Sequence, residues 1–218
     1  MSEEPVREIL RVARIVMPEK GLFLVRCPSP PPAYGTQVLV TLDYGADIGT
    51  VAETAVYDPD RHGSRPPGFQ LVREKLPEDD KQIADNEKLS QAMATTFIKT
   101  AQIPDLRIPY VRLSYGRTRL FIRFTAGQSK PDLSRPMAEL RRLFGVSVNA
   151  WQMGPRDEVS VLGGLGPCGR PCCCCTWQQR YPAHLSAERA RGENPAALNG
   201  TCGRFKCCLA FEKGNGTL

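Results

Sequence analysis

The sequence predicts an α+β protein in three parts: a small N-terminal β unit, a ferredoxin-like βαββαβ middle and a cysteine-rich, metal-binding C-terminal segment. Three observations lead there. Short β-branched runs broken by proline and glycine fill the first quarter of the chain. Two stretches with helical apolar spacing then alternate with strand-like runs. Eight of the nine cysteines fall between residues 168 and 208. The corresponding boundaries are 6–57, 69–153 and 154–212.

In the first part, Ile9 to Val16, Gly21 to Arg26, Gln37 to Leu42 and Ile48 to Val56 read as strands. Pro28-Ser29-Pro30-Pro31-Pro32 forms a stiff loop and Tyr44-Gly45 a turn. Cys27, apart from the other cysteines, reads as a core residue. Residues 58–68, with Pro59, Gly63, Pro66, Pro67 and Gly68, read as a linker. Phe69 to Leu76 predicts a strand. Pro77 and the three acids Glu78, Asp79 and Asp80 then suit a helix entrance, where the helix dipole favours negative charge. That helix runs to about Ala101, with Leu89, Met93 and Phe97 on its buried face.

Ile108 to Tyr115 and Thr118 to Thr125 read as two strands around a turn holding Gly116. Leu133, Met137, Leu140 and Phe144 mark a second amphipathic helix, ended by Gly145. Val146, Val148 and Ala150 alternate in a closing strand. This order, β-α-β-β-α-β, is that of a ferredoxin-like unit. Ala183 to Ala196 has weak helical character, interrupted by Gly192 and Pro195.

A chain of 218 residues can bury a real core. Its 41% apolar and 24% charged residues suit a soluble globular protein. No apolar run approaches the roughly 18 residues needed to cross a bilayer. The acidic start, Met1-Ser2-Glu3-Glu4-Pro5, lacks the features of a signal peptide. A cytoplasmic protein without membrane insertion is expected. In a reducing compartment nine cysteines are not a disulfide framework, and an odd number cannot all pair. The net charge is +6, and 21 of the 29 basic residues are arginine. Arginine suits bidentate contact with phosphate or carboxylate, so a nucleic-acid or acidic-protein partner is permitted but not required.

The chemistry concentrates in a repeated phrase. Cys168-Gly169-Arg170-Pro171-Cys172-Cys173-Cys174-Cys175 and Cys202-Gly203-Arg204-Phe205-Lys206-Cys207-Cys208 both fit C-G-R-x-x-C-C, offset by 34 residues. Thiolates are soft ligands for zinc and for iron–sulfur clusters, and both commonly take four cysteines. Gly169 and Gly203 supply the permissive backbone of a tight turn. Neighbouring cysteines on an extended backbone point in opposite directions. The economical ligand set is therefore Cys168, Cys173 or Cys174, Cys202, and Cys207 or Cys208. Zinc remains the alternative, since Cys168-x3-Cys172 is also a zinc-like spacing. Arg170 and Arg204 follow the first cysteine of each unit, where positive charge would favour thiolate and offset a cluster's negative charge.

Other motifs carry less. Residues 164–169 spell G-x-G-x-x-G, but Pro171 and four cysteines follow instead of a helix, so no dinucleotide fold is expected. Arg117, Arg119, Phe121 and Arg123 alternate on one face of a strand, with Leu120, Ile122 and Phe124 on the other. Arg119, Phe121 and Arg123 are thus candidates to hold single-stranded nucleic acid, against the plainer reading of a solvated sheet face. A zinc-stabilised nucleic-acid-binding module is the alternative function. Catalysis has little to work with: the two histidines are His62 and His184, and no hydrolase or phosphate-loop motif is present. Asp157-Glu158 reads as diverging surface charge on a strand. No enzyme is expected.

These residues resemble the bacterial YaaT/RicT family, whose members carry a PSP-type C-terminal domain. The resemblance lies in Phe124-Thr125-Ala126, in Gln152-Met153-Gly154-Pro155-Arg156-Asp157-Glu158 and in Gly163-Gly164-Leu165-Gly166-Pro167-Cys168-Gly169-Arg170. It continues in Asn194-Pro195, Gly200-Thr201-Cys202-Gly203-Arg204 and Cys207-Cys208-Leu209. It implies a non-catalytic cytoplasmic subunit of a regulatory complex that binds 4Fe–4S clusters and tunes RNA processing by ribonuclease Y, with effects on sporulation, competence and biofilms. The family's cysteines correspond to Cys168, Cys173, Cys174, Cys202, Cys207 and Cys208. Cys172 and Cys175 are extra. The chain departs from the family's pattern at Gly127-Gln128-Ser129-Lys130-Pro131 and over 183–199, which bears on the partner set.

Overall fold

The computed structural model describes residues 10–19, 21–127, 130–178 and 198–208. The chain divides into two compact units. One comprises Met1–Thr96, Arg112–Phe121 and Met137–Asn149, and the other Phe97–Val111, Ile122–Pro136 and Ala150–Leu218.

The first unit is built on a closed barrel of β1 (Arg11–Val16), β2 (Leu22–Arg26), β3 (Gln37–Leu42), β4 (Gly45–Val56) and β5 (Gln70–Glu74). Their order around the barrel is β1-β2-β5-β3-β4. Alternation along these strands sends Ala13, Ile15, Val25, Val38, Val40, Val51 and Leu71 inward, with Cys27 packed against them as the sequence leads one to expect. Burial raises the Cys27 thiol above its ordinary pKa.

One pairing differs from expectation. β5 is not the first strand of a ferredoxin-like sheet. It pairs antiparallel with β3, from Val38↔Glu74 to Thr41↔Gln70, and parallel with β2 at Arg26↔Gln70. Otherwise β2 and β3 would each leave an open edge, and closure removes both. The sheet that follows has three strands, β6 (Arg107–Leu113), β7 (Arg119–Thr125) and β8 (Ser147–Gln152), in the order β6-β7-β8. The α+β class and the chain order β-α-β-β-α-β both hold, but the four-stranded ferredoxin-like sheet does not form.

The 58–68 stretch is not wholly linker. Pro59–His62 makes one helical turn, α1, because Asp58 caps it by accepting the Asp60 N–H at 3.0 Å. The long helix α2 (Asp79–Ala101) buries Asn86, Ser90, Met93, Ala94 and Phe97, and Leu89 is only half-buried. α3 (Ser134–Phe144) ends as expected at Gly145, whose φ is 68° and whose N–H donates to the Arg141 carbonyl at 3.0 Å. The expected helical stretch Ala183 to Ala196, with His184, lies outside the described residues.

Two features fix the first unit. Gly49, on β4, lies where any added Cβ would stand 2.4 Å from Ile15 Cγ2 and 2.7 Å from Met17 Sδ. Gly49→Ala is therefore expected to cost about 1–3 kcal/mol by overpacking, read as a lower denaturation midpoint. Second, buried Asp47 accepts hydrogen bonds from Arg112 Nη1 (2.9 Å), Arg112 Nη2 (2.8 Å), the Tyr44 hydroxyl (3.0 Å) and the Ile48 and Tyr115 N–H groups. Burial opposes the Arg112 charge, but hydrogen bonds to Asp47 and Glu19 outweigh it and hold its pKa above the ordinary value.

Candidate metal centre

The two C-G-R-x-x-C-C units fold the same way. In the first, the Gly166 N–H donates to Arg170 O (2.8 Å), Gly169 N–H to Gly166 O (2.9 Å) and Cys172 N–H to Gly164 O (3.0 Å). In the second, Gly200 N–H donates to Arg204 O (2.7 Å), Gly203 N–H to Gly200 O (2.9 Å) and Lys206 N–H to Leu198 O (2.8 Å). Every bond recurs at the sequence offset of 34. Matching bridges pair Leu165 with Pro171 and Asn199 with Phe205.

Each unit is thus a small hairpin whose three-residue loop closes through a left-handed glycine. Gly169 has φ 74° and Gly203 φ 72°, a region costly to other residues. Either one changed to alanine is expected to cost about 1–2 kcal/mol of local strain. The two variants should lower the denaturation midpoint by similar amounts.

Each hairpin delivers its later cysteines into a tight turn. Cys173–Cys175 form a 3-10 turn, and Cys207 and Cys208 begin another. The backbone there is not extended, so the expectation that adjacent thiols diverge does not apply. Cys168, Cys173, Cys174, Cys202, Cys207 and Cys208 all line one cavity of about 70 Å³, and Cys172 joins them. A single water requires only roughly 10–15 Å³. The Thr201 hydroxyl ties the hairpins together by donating to Leu165 O at 2.8 Å. Cys175 takes no part in the lining: its thiol donates to Val159 O at 3.3 Å. The structure thereby separates the two extra cysteines.

The electrostatics tie the half-sites together. Burial pushes the Cys173 thiol up, and the neighbouring thiols Cys208, Cys207 and Cys168 push it further. Burial also raises Cys172 and, with Cys175 alongside, pushes Cys174 up to about 12. The raised pKa values of Cys172, Cys173 and Cys174 favour their protonated form, so a metal bound by any of these three must release protons. Among the described residues, no three cysteine, histidine, aspartate or glutamate side chains converge tightly enough to ligate one metal ion.

One wall comes from a helix that the strand reading of Asp157-Glu158 missed. α4 (Pro155–Leu162) follows directly on Gly154. Proline at the first helical position, with an acid two residues later, was the available signal. Asp157 accepts the Gly154 N–H at 3.3 Å, and Glu158 lies 3.9 Å from Arg107. The Ser160 hydroxyl donates to Cys174 O at 3.0 Å, docking the helix on the 3-10 turn. α4 also supplies Arg156, which is 8% exposed, lines the cavity and donates from Nη2 to Gln178 O at 2.6 Å. Arg170 and Arg204, expected to serve the thiolates, are exposed and do not line the cavity.

The candidate nucleic-acid face shows its expected alternation, with Leu120, Ile122 and Phe124 buried. Its outward side chains are engaged within the protein. The Arg119 guanidinium stacks 4.7 Å from the Tyr44 ring centroid and pairs with Asp43 at 3.7 Å. Phe121 meets Tyr44 edge-on at 5.5 Å and lies under Arg112. Arg123 lies over the Tyr110 ring at 5.4 Å. Among the described residues no helix is long and apolar enough to cross a membrane.

The chain is similar to the stage 0 sporulation protein YaaT of Bacillus subtilis (strain 168), with 33% identity over 112 residues. The aligned stretch covers 50% of this chain and 40% of YaaT, so the chain spans less than half of that relative. No family model matches. No solved structure matches.

Proposed function

With the similarity to YaaT supporting its assignment to the YaaT/RicT family, we propose that this chain is a non-catalytic, cytoplasmic regulatory subunit. It binds an iron–sulfur cluster of the 4Fe–4S kind through its two hairpins and modulates RNA processing through protein partners, a ribonuclease Y-type enzyme among them. That YaaT is named a sporulation protein supports a regulatory role in the family. Sporulation, competence and biofilm formation are the corresponding outputs.

One observation carries the reading: two hairpins with the same hydrogen bonds place all six motif cysteines on a single cavity. The donor set is entirely soft sulfur, which fits iron–sulfur and zinc chemistry. Ligands to one zinc ion would each sit about 2.3 Å from it, and so close to one another. A cavity of about 70 Å³ ringed by cysteines leaves room for a polynuclear centre. Cys168, Cys173, Cys174, Cys202, Cys207 and Cys208 form the pool from which the ligands come. A bound cluster would supply one-electron redox chemistry and sensitivity to oxidants. The chain's own residues hold the thiols in place, and Val159, Pro171 and Phe205 keep the cavity's walls apolar.

The regulatory part is tested in the source organism by replacing the gene with its Cys168→Ser, Cys202→Ser form and measuring transcript half-lives after transcription is stopped. Half-lives altered as in a gene deletion are expected. Unaltered half-lives in the deletion itself would overturn the role in RNA processing.

A further inference from the structure

The hairpin repeat breaks its chemistry at one cavity-lining position. Where the first hairpin has Cys172, the second has Lys206, 34 residues on. Lys206 and Arg156 are the charged side chains among the described residues that line the cavity, and no carboxylate lines it. A buried arginine and a half-buried lysine beside seven cysteines make the charged residues of the lining all of one sign. Four thiolates around a doubly positive metal core leave a doubly negative assembly. Two cations match that charge.

We propose that Arg156 and Lys206 are positioning residues that supply the counter-charge of the thiol cavity and make it select an anionic metal–thiolate centre. The proposal rests on the cluster reading above and deepens it. It also moves the counter-charge from Arg170 and Arg204, each two residues after a cysteine in sequence, to two residues that share the cavity with the cysteines. Arg156 is suited to the part. Its donation to Gln178 O fixes one end of the guanidinium, and α4, docked on the 3-10 turn through Ser160, fixes its base. A cation held in this way needs little reorganisation when negative charge arrives. Residues of this kind, which touch the ligands rather than the metal, commonly govern retention and redox potential.

The test uses the full chain, loaded anaerobically with ferrous iron and sulfide, as wild type and as Arg156→Met, Arg156→Lys and Lys206→Met. Two quantities are read: iron retention against a chelator and the reduction midpoint potential. Arg156→Met is expected to weaken retention about 10–100-fold. It should also shift the potential to more negative values, because reduction adds negative charge that the lost cation no longer offsets. Lys206→Met should move both quantities in the same direction, and Arg156→Lys should restore retention towards wild type. A merely structural arginine would not be rescued by lysine and would leave the potential of loaded protein unchanged. Should circular dichroism show Arg156→Met to be unfolded, Lys206→Met decides. Wild-type retention and potential in both methionine variants would overturn the proposal while leaving the cluster reading intact. A wild-type chain that takes up no iron would overturn both.

Discussion

Cys168→Ser and Cys202→Ser are each expected to abolish stable metal loading, and to do so equally. The two residues occupy the same place in two hairpins with the same hydrogen bonds, and both thiols reach the one cavity. A serine hydroxyl is a hard, weakly acidic donor that cannot replace a soft thiolate. Loss of either should therefore remove the centre outright, with iron and sulfide falling to background after desalting. Cys175→Ser makes the control, because its thiol donates to Val159 O and Cys175 does not line the cavity. That variant should load like wild type. If Cys202→Ser loaded normally while Cys168→Ser did not, the second hairpin would not be a half-site.

The second large effect concerns stability rather than the metal. Arg112→Leu is expected to destabilise the first unit by about 3–5 kcal/mol, measured by chemical denaturation. Asp47 has a side chain only 1% exposed, and its paired cation is the guanidinium that this change deletes. The Tyr44, Ile48 and Tyr115 donors would remain, but they do not neutralise a buried carboxylate. Adding Asp47→Asn to the same chain should recover part of the loss, because the amide leaves no buried charge behind. If the single change proved as mild as an exposed substitution, the ion pair would not be what secures this part of the unit.

How much of this was readable in advance depended on how local each signal is. The strands of the N-terminal part and the β7 pattern of Leu120, Ile122 and Phe124 follow from alternation between neighbours, so they were legible. The partner of β5 was not. Its inward Leu71 and outward Val72 satisfy either sheet, and only the open edges of β2 and β3 decide between them. α4 was hidden because an eight-residue helix carries too little apolar periodicity, although Gly154-Pro155 and Asp157 marked its start. The motif cysteines were legible because the chain states the pattern twice. Their cations were not. Arg170 and Arg204 stand two residues from a cysteine in sequence but are exposed, whereas Arg156 lines the cavity from a separate helix. Sequence proximity to a thiol says little about which charge shares its space. The 3-10 turn at Cys173–Cys175 made a similar difference, since it places adjacent cysteines on one wall where an extended chain would have parted them.

The most direct measurement is an absorption spectrum of the full chain purified without oxygen, with iron, sulfide and zinc determined on the same sample. The expected result is a broad band near ~400 nm with iron and sulfide in equal amounts. Colourless protein carrying about one zinc per chain and no iron would contradict it.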